Sequence, residues 1–179
     1  MSVHPQQKHR PLRSAFGVFS DPDAMASALG GLDRGASGPR PVKRAGTDFR
    51  GMFARAMLGE VDLGIGRFAQ GQPQRAELSN AHTFMFPTEP GLARRVSGRM
   101  LSGNQIIHFR PQAETVTSSP RGMAWAFAIL VVPAEVLATH APALAGFDLA
   151  RPLQNDRLFE VPEEAMARLV VLMNDVARI

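Results

Sequence analysis

Apolar and polar side chains alternate with a period of two through the middle of the chain, which is typical of β-strands with one buried face. The alternation begins over residues 49–58, and Gly59-Glu60 then supplies a tight turn into a second alternating run over 61–69. This arrangement predicts a β-hairpin. Its strands are followed by further short strands, separated by Gly, Pro, Asn or Ser and spaced as in sandwiches and barrels, at 75–78, 82–86, 94–97, 99–101, 105–109 and 114–118.

The segment 123–132 has bulky side chains on one face and begins with alanines on the other. The alanines are Ala124, Ala126 and Ala128, and the bulky face consists of Met123, Trp125, Phe127, Ile129 and Val131. A strand of this kind is expected to be buried on both faces, as a central strand of a barrel or sandwich is. We therefore expect its large face to fill an interior.

Helix signals lie on either side of this β-rich region. Asp21 can cap a short helix over 22–29, which begins with Pro22 and ends at Gly30-Gly31. A second short helix is expected from Pro133 to about His140, followed by an irregular stretch around 143–155.

A longer final helix is predicted from Pro162 to the last residue, Ile179. No stop signal follows it, so we expect a further segment in the intact protein. Its apolar surface is wider than one packing face needs, which favours pairing with a second copy of the chain. Packing on its own barrel alone is the alternative. The residues predicted to form the dimer contact are Met166, Leu169, Val170, Met173 and Val176.

These patterns predict one mainly β domain with C-terminal helices. We expect a flexible leader over 1–15, a β-barrel over 16–160 and a helical segment over 161–179. Within the barrel, residues 32–47 are rich in Gly, Pro, Arg and Ser and have almost no large apolar side chain, so they are predicted to form a mobile loop.

Composition supports a single domain in a reducing compartment. The chain has 179 residues, of which 45% are hydrophobic, and no cysteine, which excludes disulfides, thiolate metal sites and cysteine nucleophiles. No apolar run approaches the ~20 residues that a membrane span requires, and no apolar signal segment follows the basic N-terminus. We expect a cytoplasmic protein without a membrane partner.

The net charge of +4 is unevenly distributed. Residues 1–50 have eight Lys or Arg against four acidic residues, whereas residues 51–179 have twelve of each. The surplus therefore falls in the predicted leader and loop, where a solvated segment is expected. A basic arm that contacts DNA is the alternative.

The sequence contains no constellation that predicts catalysis. Gly64-Ile-Gly66 lies inside a predicted strand and lacks the helix that a phosphate-binding loop requires. No Gly-x-Ser-x-Gly motif is present. His82 and His108 are the two histidines in predicted strands, each without a nearby ligand in sequence, so neither a metal nor another cofactor is predicted.

An apolar interior with a few polar groups suits a small-molecule pocket. Trp125 is the strongest candidate, because its indole N–H needs a hydrogen-bond partner when it is buried. An ordinary filled core is the alternative for each residue. The predicted ligand-binding residues are Trp125, Phe84, His82, His108 and Phe127.

Six segments of the chain resemble the N-terminal domain of AraC-family transcription regulators. They are the helix Phe19–Leu29, the strand Phe49–Phe53, the hairpin Leu58–Leu63, and the segments Val96–Gly103, Gln105–Phe109 and Val132–Leu137. The resemblance covers most of residues 16–179. It implies a cupin-like β-barrel (a double-stranded β-helix) that binds a small effector, with helices that join two copies.

The resemblance also implies that a pair of helix-turn-helix units, absent from these 179 residues, contacts DNA. The chain is then an effector-sensing and dimerising domain and not an enzyme. Two alternatives stay open. One is a cupin-type enzyme that binds a metal through His82, His108 and a carboxylate, although the His-x-His pair of metal-bearing cupins is missing. The other is a binding protein that is complete in itself.

Overall fold

The computed structural model describes residues 13–30, 40–41, 49–69, 74–89, 94–118, 123–145, 153–176 and 178. They form twelve strands and three helices within these ranges. The strands are β1 (Arg13–Phe19), β2 (Arg40–Pro41), β3 (Gly51–Leu58), β4 (Val61–Phe68), β5 (Gln74–Glu77), β6 (Ala81–Pro87), β7 (Arg94–Val96), β8 (Arg99–Leu101), β9 (Gln105–Phe109), β10 (Glu114–Ser118), β11 (Trp125–Pro133) and β12 (Arg157–Glu160). The helices are α1 (Pro22–Gly30), α2 (Ala134–Ala145) and α3 (Glu163–Val176).

The strands form two antiparallel sheets. One has seven strands in the order β1-β3-β4-β11-β6-β9-β12, and the other has five in the order β2-β5-β10-β7-β8. Eight consecutive strands pair in a nested order, the first with the last. β7 pairs with β8, β6 with β9, β5 with β10 and β4 with β11. This nested pairing is the jelly-roll topology of cupins. The predicted cupin-like fold with C-terminal helices is confirmed.

Two hydrophobic clusters stabilise this arrangement. The first lies between the sheets and combines β11 residues such as Trp125 and Phe127 with Val96 and Leu101 of the smaller sheet. The second lies on the outer face of the seven-stranded sheet, where α3 covers Ala128 and its neighbours. Small side chains on that face let the helix approach the strand closely. Trp125, Phe127 and Ile129 of the predicted bulky face thus contact the interior cluster, as the alternation predicts, whereas Met123 is exposed.

The structure differs from the sequence predictions mainly outside the alternating strands. β1 includes residues 13–15 of the predicted leader, and β2 lies within the predicted loop 32–47; the rest of these two segments lies outside the described residues. β12 was not predicted, and α2 continues to Ala145. The prediction that the last helix reaches Ile179 was wrong, since α3 ends at Val176. No helix among the described residues is long and apolar enough to cross a membrane.

Candidate functional site

An aromatic stack lies inside the barrel at the start of β11. The ring of Trp125 stacks on Phe127 with centroids 4.2 Å apart, and Phe127 stacks on Phe68 at 5.6 Å. The strand register explains this packing, because Trp125 is opposite Phe68 and Phe127 is opposite Gly66. A glycine at position 66 leaves the space that the Phe127 ring occupies.

The smaller sheet contributes a buried cation to this stack. Arg94 of β7 is 1% exposed, and its guanidinium carbon lies 3.4 Å from the centre of the Trp125 ring. Its Nη2 donates a hydrogen bond to Thr117 Oγ1 at 2.6 Å. Burial lowers the pKa of Arg94 from 12.5 to about 9, so the side chain is charged at neutral pH. A cation on an aromatic face is a favourable contact that here joins the two sheets.

The indole N–H of Trp125 is a buried donor of this site that has no hydrogen-bond partner. Trp125 is 1% exposed, and its Nε1 has no hydrogen-bond partner. A buried donor without a partner loses about 1–3 kcal/mol relative to a hydrogen-bonded one. Trp125, Arg94, Phe127 and Phe68 form what we call the Trp125 site, which can therefore offer an N–H donor beside a buried cation and aromatic rings to a bound molecule.

A second arginine lies on the interior face, at the opposite end of the β3–β4 hairpin. Arg55 and Asp62 are both buried and form a two-point ion pair, in which Nε donates to Oδ1 at 2.7 Å and Nη2 donates to Oδ2. Because the partner carboxylate belongs to the same chain, this pair closes the hairpin and adds no net charge to the interior.

The two strand histidines meet on the other side of the seven-stranded sheet. His82 Nδ1 lies 3.0 Å from His108 Nε2, and the ring of Phe84 lies 5.0 Å from that of His108. Phe84 is opposite His108 in the sheet, and His82 and Phe84 are opposite Val132 and Leu130. The alternation of β11 places these two partners on the face away from Trp125, and Leu130 packs against the cluster under α3.

Burial keeps the His pair neutral near pH 7. His108 is fully buried, and desolvation, followed by the repulsion of a charged His82, lowers its pKa from 6.5 to about 4. The Asn155 backbone and the Asp156 carboxylate raise the pKa of His108, but by less than burial and His82 lower it. Desolvation also lowers the pKa of His82. One imidazole donates and the other accepts in this pair.

The five predicted ligand-binding residues are therefore divided between the two faces of the sheet. Trp125 and Phe127 line the interior, whereas His82, Phe84 and His108 lie on the outer face. They cannot line one cavity, because the sheet itself separates them. Sequence reasoning missed Arg94. The sequence signal was that Arg94 is two residues before the apolar Val96 in a predicted strand and so shares its face, which the structure shows to be buried.

Among the described residues, the His pair lacks the carboxylate that the metal site of the enzyme alternative requires. Its two nitrogens face each other across a hydrogen bond, and the described residues contain no group of three His, Cys, Asp or Glu that could hold a metal ion. The pair also lies outside the barrel interior. The arrangement can exchange a proton between two imidazoles, but it has no third ligand within the described ranges.

The predicted dimerisation residues face the chain's own sheet. Met166, Met173 and Val176 are buried in the cluster under α3, and Leu169 and Val170 pack against it. A cleft of only about 10 Å³, barely the size of one water molecule, remains between α3 and the β3–β4 hairpin. The large apolar side chains that α3 exposes are instead Val171 (59%) and Leu172 (57%).

Comparison with known proteins agrees with this fold. Neither a protein-family model nor a curated protein sequence matches the chain. The chain is similar to the solved structure of ToxT from Vibrio cholerae O395 bound to (E)-4-(8-methylnaphthalen-1-yl)but-3-enoic acid, with a TM-score of 0.51 and 11% identity. That match covers 66% of this chain and 49% of the ToxT chain, so the present chain spans about half the length of ToxT.

A second similar structure is the AraC-like transcriptional activator CuxR, with a TM-score of 0.50 and 12% identity over 93% of this chain and 68% of the CuxR chain. A cupin-2 domain from Rhodospirillum rubrum aligns with a TM-score of 0.39 and 12% identity over 78% of this chain and 88% of that one. At these identities, the likeness to ToxT and CuxR shows a common fold.

Proposed function

We propose that the chain is the effector-sensing and dimerising domain of an AraC-type transcription regulator. A small molecule binds inside the barrel, and the bound state is transmitted to a helix-turn-helix DNA-binding part that lies outside these 179 residues. The likeness of nearly the whole chain to CuxR, an AraC-like activator, supports the assignment. The acid bound to ToxT, which has the same fold, supports a small-molecule ligand. In this proposal the domain binds its ligand without transforming it.

The observation that carries the proposal is the Trp125 site. A core that served only for stability would pair or exclude polar groups, because each unsatisfied buried donor is costly. Here Trp125 Nε1 has no partner, next to a buried cation and three stacked rings. Apolar walls with a few orienting donors are the composition of small-molecule sites.

A signal can pass from this site to α3 through one strand. β11 presents Trp125 and Phe127 to the interior and Ala128 to the cluster under α3. A ligand that separates Trp125 from Phe127 shifts β11, and the close packing of Ala128 transmits the shift to the helix. The ligand changes the population of two arrangements of α3 only by the difference between its affinities for them.

Fluorescence of Trp125 tests ligand binding directly, because the chain has one tryptophan. We expect at least one class in a panel of small acids, sugars, nucleotides and aromatic metabolites to change this fluorescence and to raise the melting temperature. Phe127→Leu, inside the barrel, should weaken the same ligand. Phe84→Leu is the matched control, because it changes an aromatic residue on the outer face of the same sheet.

Two outcomes would contradict the proposal. A panel without any effect on Trp125 argues against a sensing barrel. A ligand weakened by Phe84→Leu but not by Phe127→Leu binds outside the barrel, next to the His pair.

Dimerisation is proposed to use the exposed side of α3. Val171 and Leu172 are more than half exposed on a helix whose other side is committed to the sheet. Leu172→Glu should convert dimers to monomers in sedimentation experiments, whereas Leu58→Glu, at the end of β3 and 45% exposed, should not. A wild-type chain that is monomeric at high concentration contradicts this part.

Reading the gene beyond codon 179 tests the DNA-binding part, for which we expect two helix-turn-helix patterns.

A further inference from the structure

The polar groups of the Trp125 site are unequal in what they offer. Arg94 donates from Nη2 to Thr117 Oγ1, and it brings a positive charge to the site. Trp125 Nε1 is the open donor, and tryptophan can only donate. A ligand atom that satisfies it must therefore be an acceptor.

The position of the charge selects among acceptors. The Arg94 guanidinium carbon lies 3.4 Å from the centre of the Trp125 ring, and both side chains are 1% exposed. An acceptor bound to the indole N–H is thus within a few ångströms of a cation in a region shielded from water, where electrostatic attraction is much stronger than at the surface. Anionic acceptors are favoured over neutral ones, and cations are excluded.

The single positive charge of the Trp125 site matches the single negative charge of one carboxylate. The site has a single cationic side chain among the described residues, and that side chain lies on the ring whose Nε1 has no partner. A phosphate dianion has more negative charge than one guanidinium can neutralise. A carboxylate has one charge and two oxygens, and the stacked rings of Phe127 and Phe68 supply a wall for an apolar group attached to it.

We propose that the effector is an organic acid with an apolar body, whose carboxylate accepts a hydrogen bond from Trp125 Nε1 in the field of Arg94. This inference rests on the proposed function and names the ligand class for the same site.

Matched pairs of acids and amides test the ligand class on the unaltered protein. Octanoate with octanamide and benzoate with benzamide differ in charge but hardly in shape. With sodium chloride adjusted to equal ionic strength, we expect one acid at least to change Trp125 fluorescence. Its amide should bind tenfold more weakly or worse.

Two variants assign the effect to the site. Arg94→Gln should weaken the acid at least tenfold and leave the amide unchanged. Arg95→Gln is the matched control, since the neighbouring Arg95 is exposed and should matter only if anions bind the surface non-specifically. Trp125→Phe keeps a ring but removes the N–H, and calorimetry should then show weaker binding of the acid. Circular dichroism checks that each variant is folded.

The results separate the failure of this inference from the failure of the proposed function. Equal binding of acid and amide, or an acid whose affinity Arg94→Gln does not change, overturns the organic-acid ligand. So does the absence of binding by both acids at concentrations of tens of millimolar. If a neutral molecule from the wider panel still changes Trp125 fluorescence, the sensing function stands without the anion. If no molecule of any class does, both are wrong.

Discussion

His108 shows how burial sets the charge of a single side chain and makes stability depend on pH. In the unfolded chain its pKa is 6.5, whereas in the folded protein it is about 4. Between these values the unfolded state binds a proton that the folded state does not. The contribution of His108 to the free energy of unfolding is therefore complete above about pH 7. It decreases as the pH falls from 6.5 towards 4.

We predict that lowering the pH from about 7.5 to about 5 reduces the free energy of unfolding by about 2 kcal/mol through this group. His108→Gln should remove most of this dependence, because glutamine can still contact His82 but does not titrate. Urea unfolding at several pH values measures the effect. His140→Gln, in the exposed part of α2, should behave like the wild type. An unchanged pH slope in His108→Gln would show that the folded protein protonates His108 readily.

Gly66 is a position where one added methyl group should be costly. A Cβ there would overlap the ring of Phe127 and lie 3.1 Å from Phe53. Both rings are buried, so neither can move into solvent. We predict that Gly66→Ala destabilises the protein by about 1–3 kcal/mol, measured by urea unfolding.

A double-mutant cycle identifies the cause of the Gly66→Ala effect. Phe127→Leu makes room above position 66, so the cost of Gly66→Ala should be smaller in that background. Additive effects of the two changes would mean that the Phe127 ring is not the obstacle.

At the scale of elements, α3 provides a comparison between two neighbouring apolar residues. Met173 is 2% exposed in the cluster with Ala56 and Ile65, whereas Leu172 is 57% exposed. Met173→Ala should cost about 2–4 kcal/mol of stability, and Leu172→Ala should change it by less than about 0.5 kcal/mol in the monomer. Thermal unfolding at low protein concentration measures both. The reverse order would mean that α3 is rotated relative to the sheet.

The elements that the sequence predicts best are strands with regular alternation. The bounds of β10 agree with their prediction because its period-two patterning reports one buried face directly. The bounds of β9 also agree, although the second half of that strand is buried on both faces. β12 was missed because its four residues, Arg157–Glu160, have little pattern of their own. They form a strand by pairing with β9, and such a contact between distant segments is not visible in local sequence.

The candidate site was only partly predictable for a related reason. Alternation places His82, Phe84 and Phe86 together on one face, and the structure agrees, but alternation does not say which face is the interior. The interior became clear for β11 because its large residues, including Trp125, are on one side only. Arg94 was missed because arginine is rarely buried, and its burial depends on Trp125, a residue from the opposite sheet.

At the scale of the whole molecule, the Arg94–Trp125 contact joins the two sheets at the aromatic stack. Arg94 belongs to the five-stranded sheet and Trp125 to the seven-stranded one. The cluster between the sheets also combines residues of both, so neither sheet retains its buried face if the other unfolds. We therefore expect the sheets to unfold as one cooperative unit.

Two optical signals test this cooperativity because they report different parts of the process. Trp125 is buried between the sheets, so its fluorescence changes when the sheets separate. The signal is specific because the chain has no other tryptophan. Far-ultraviolet circular dichroism changes when the strands are lost. We predict a single urea transition with the same midpoint for both signals. Met173→Ala should shift both midpoints equally, because α3 packs on the sheet that carries Trp125. A fluorescence change that precedes the loss of circular dichroism would mean that the sheets separate before they unfold, and the Trp125 site would then open independently of the rest of the domain.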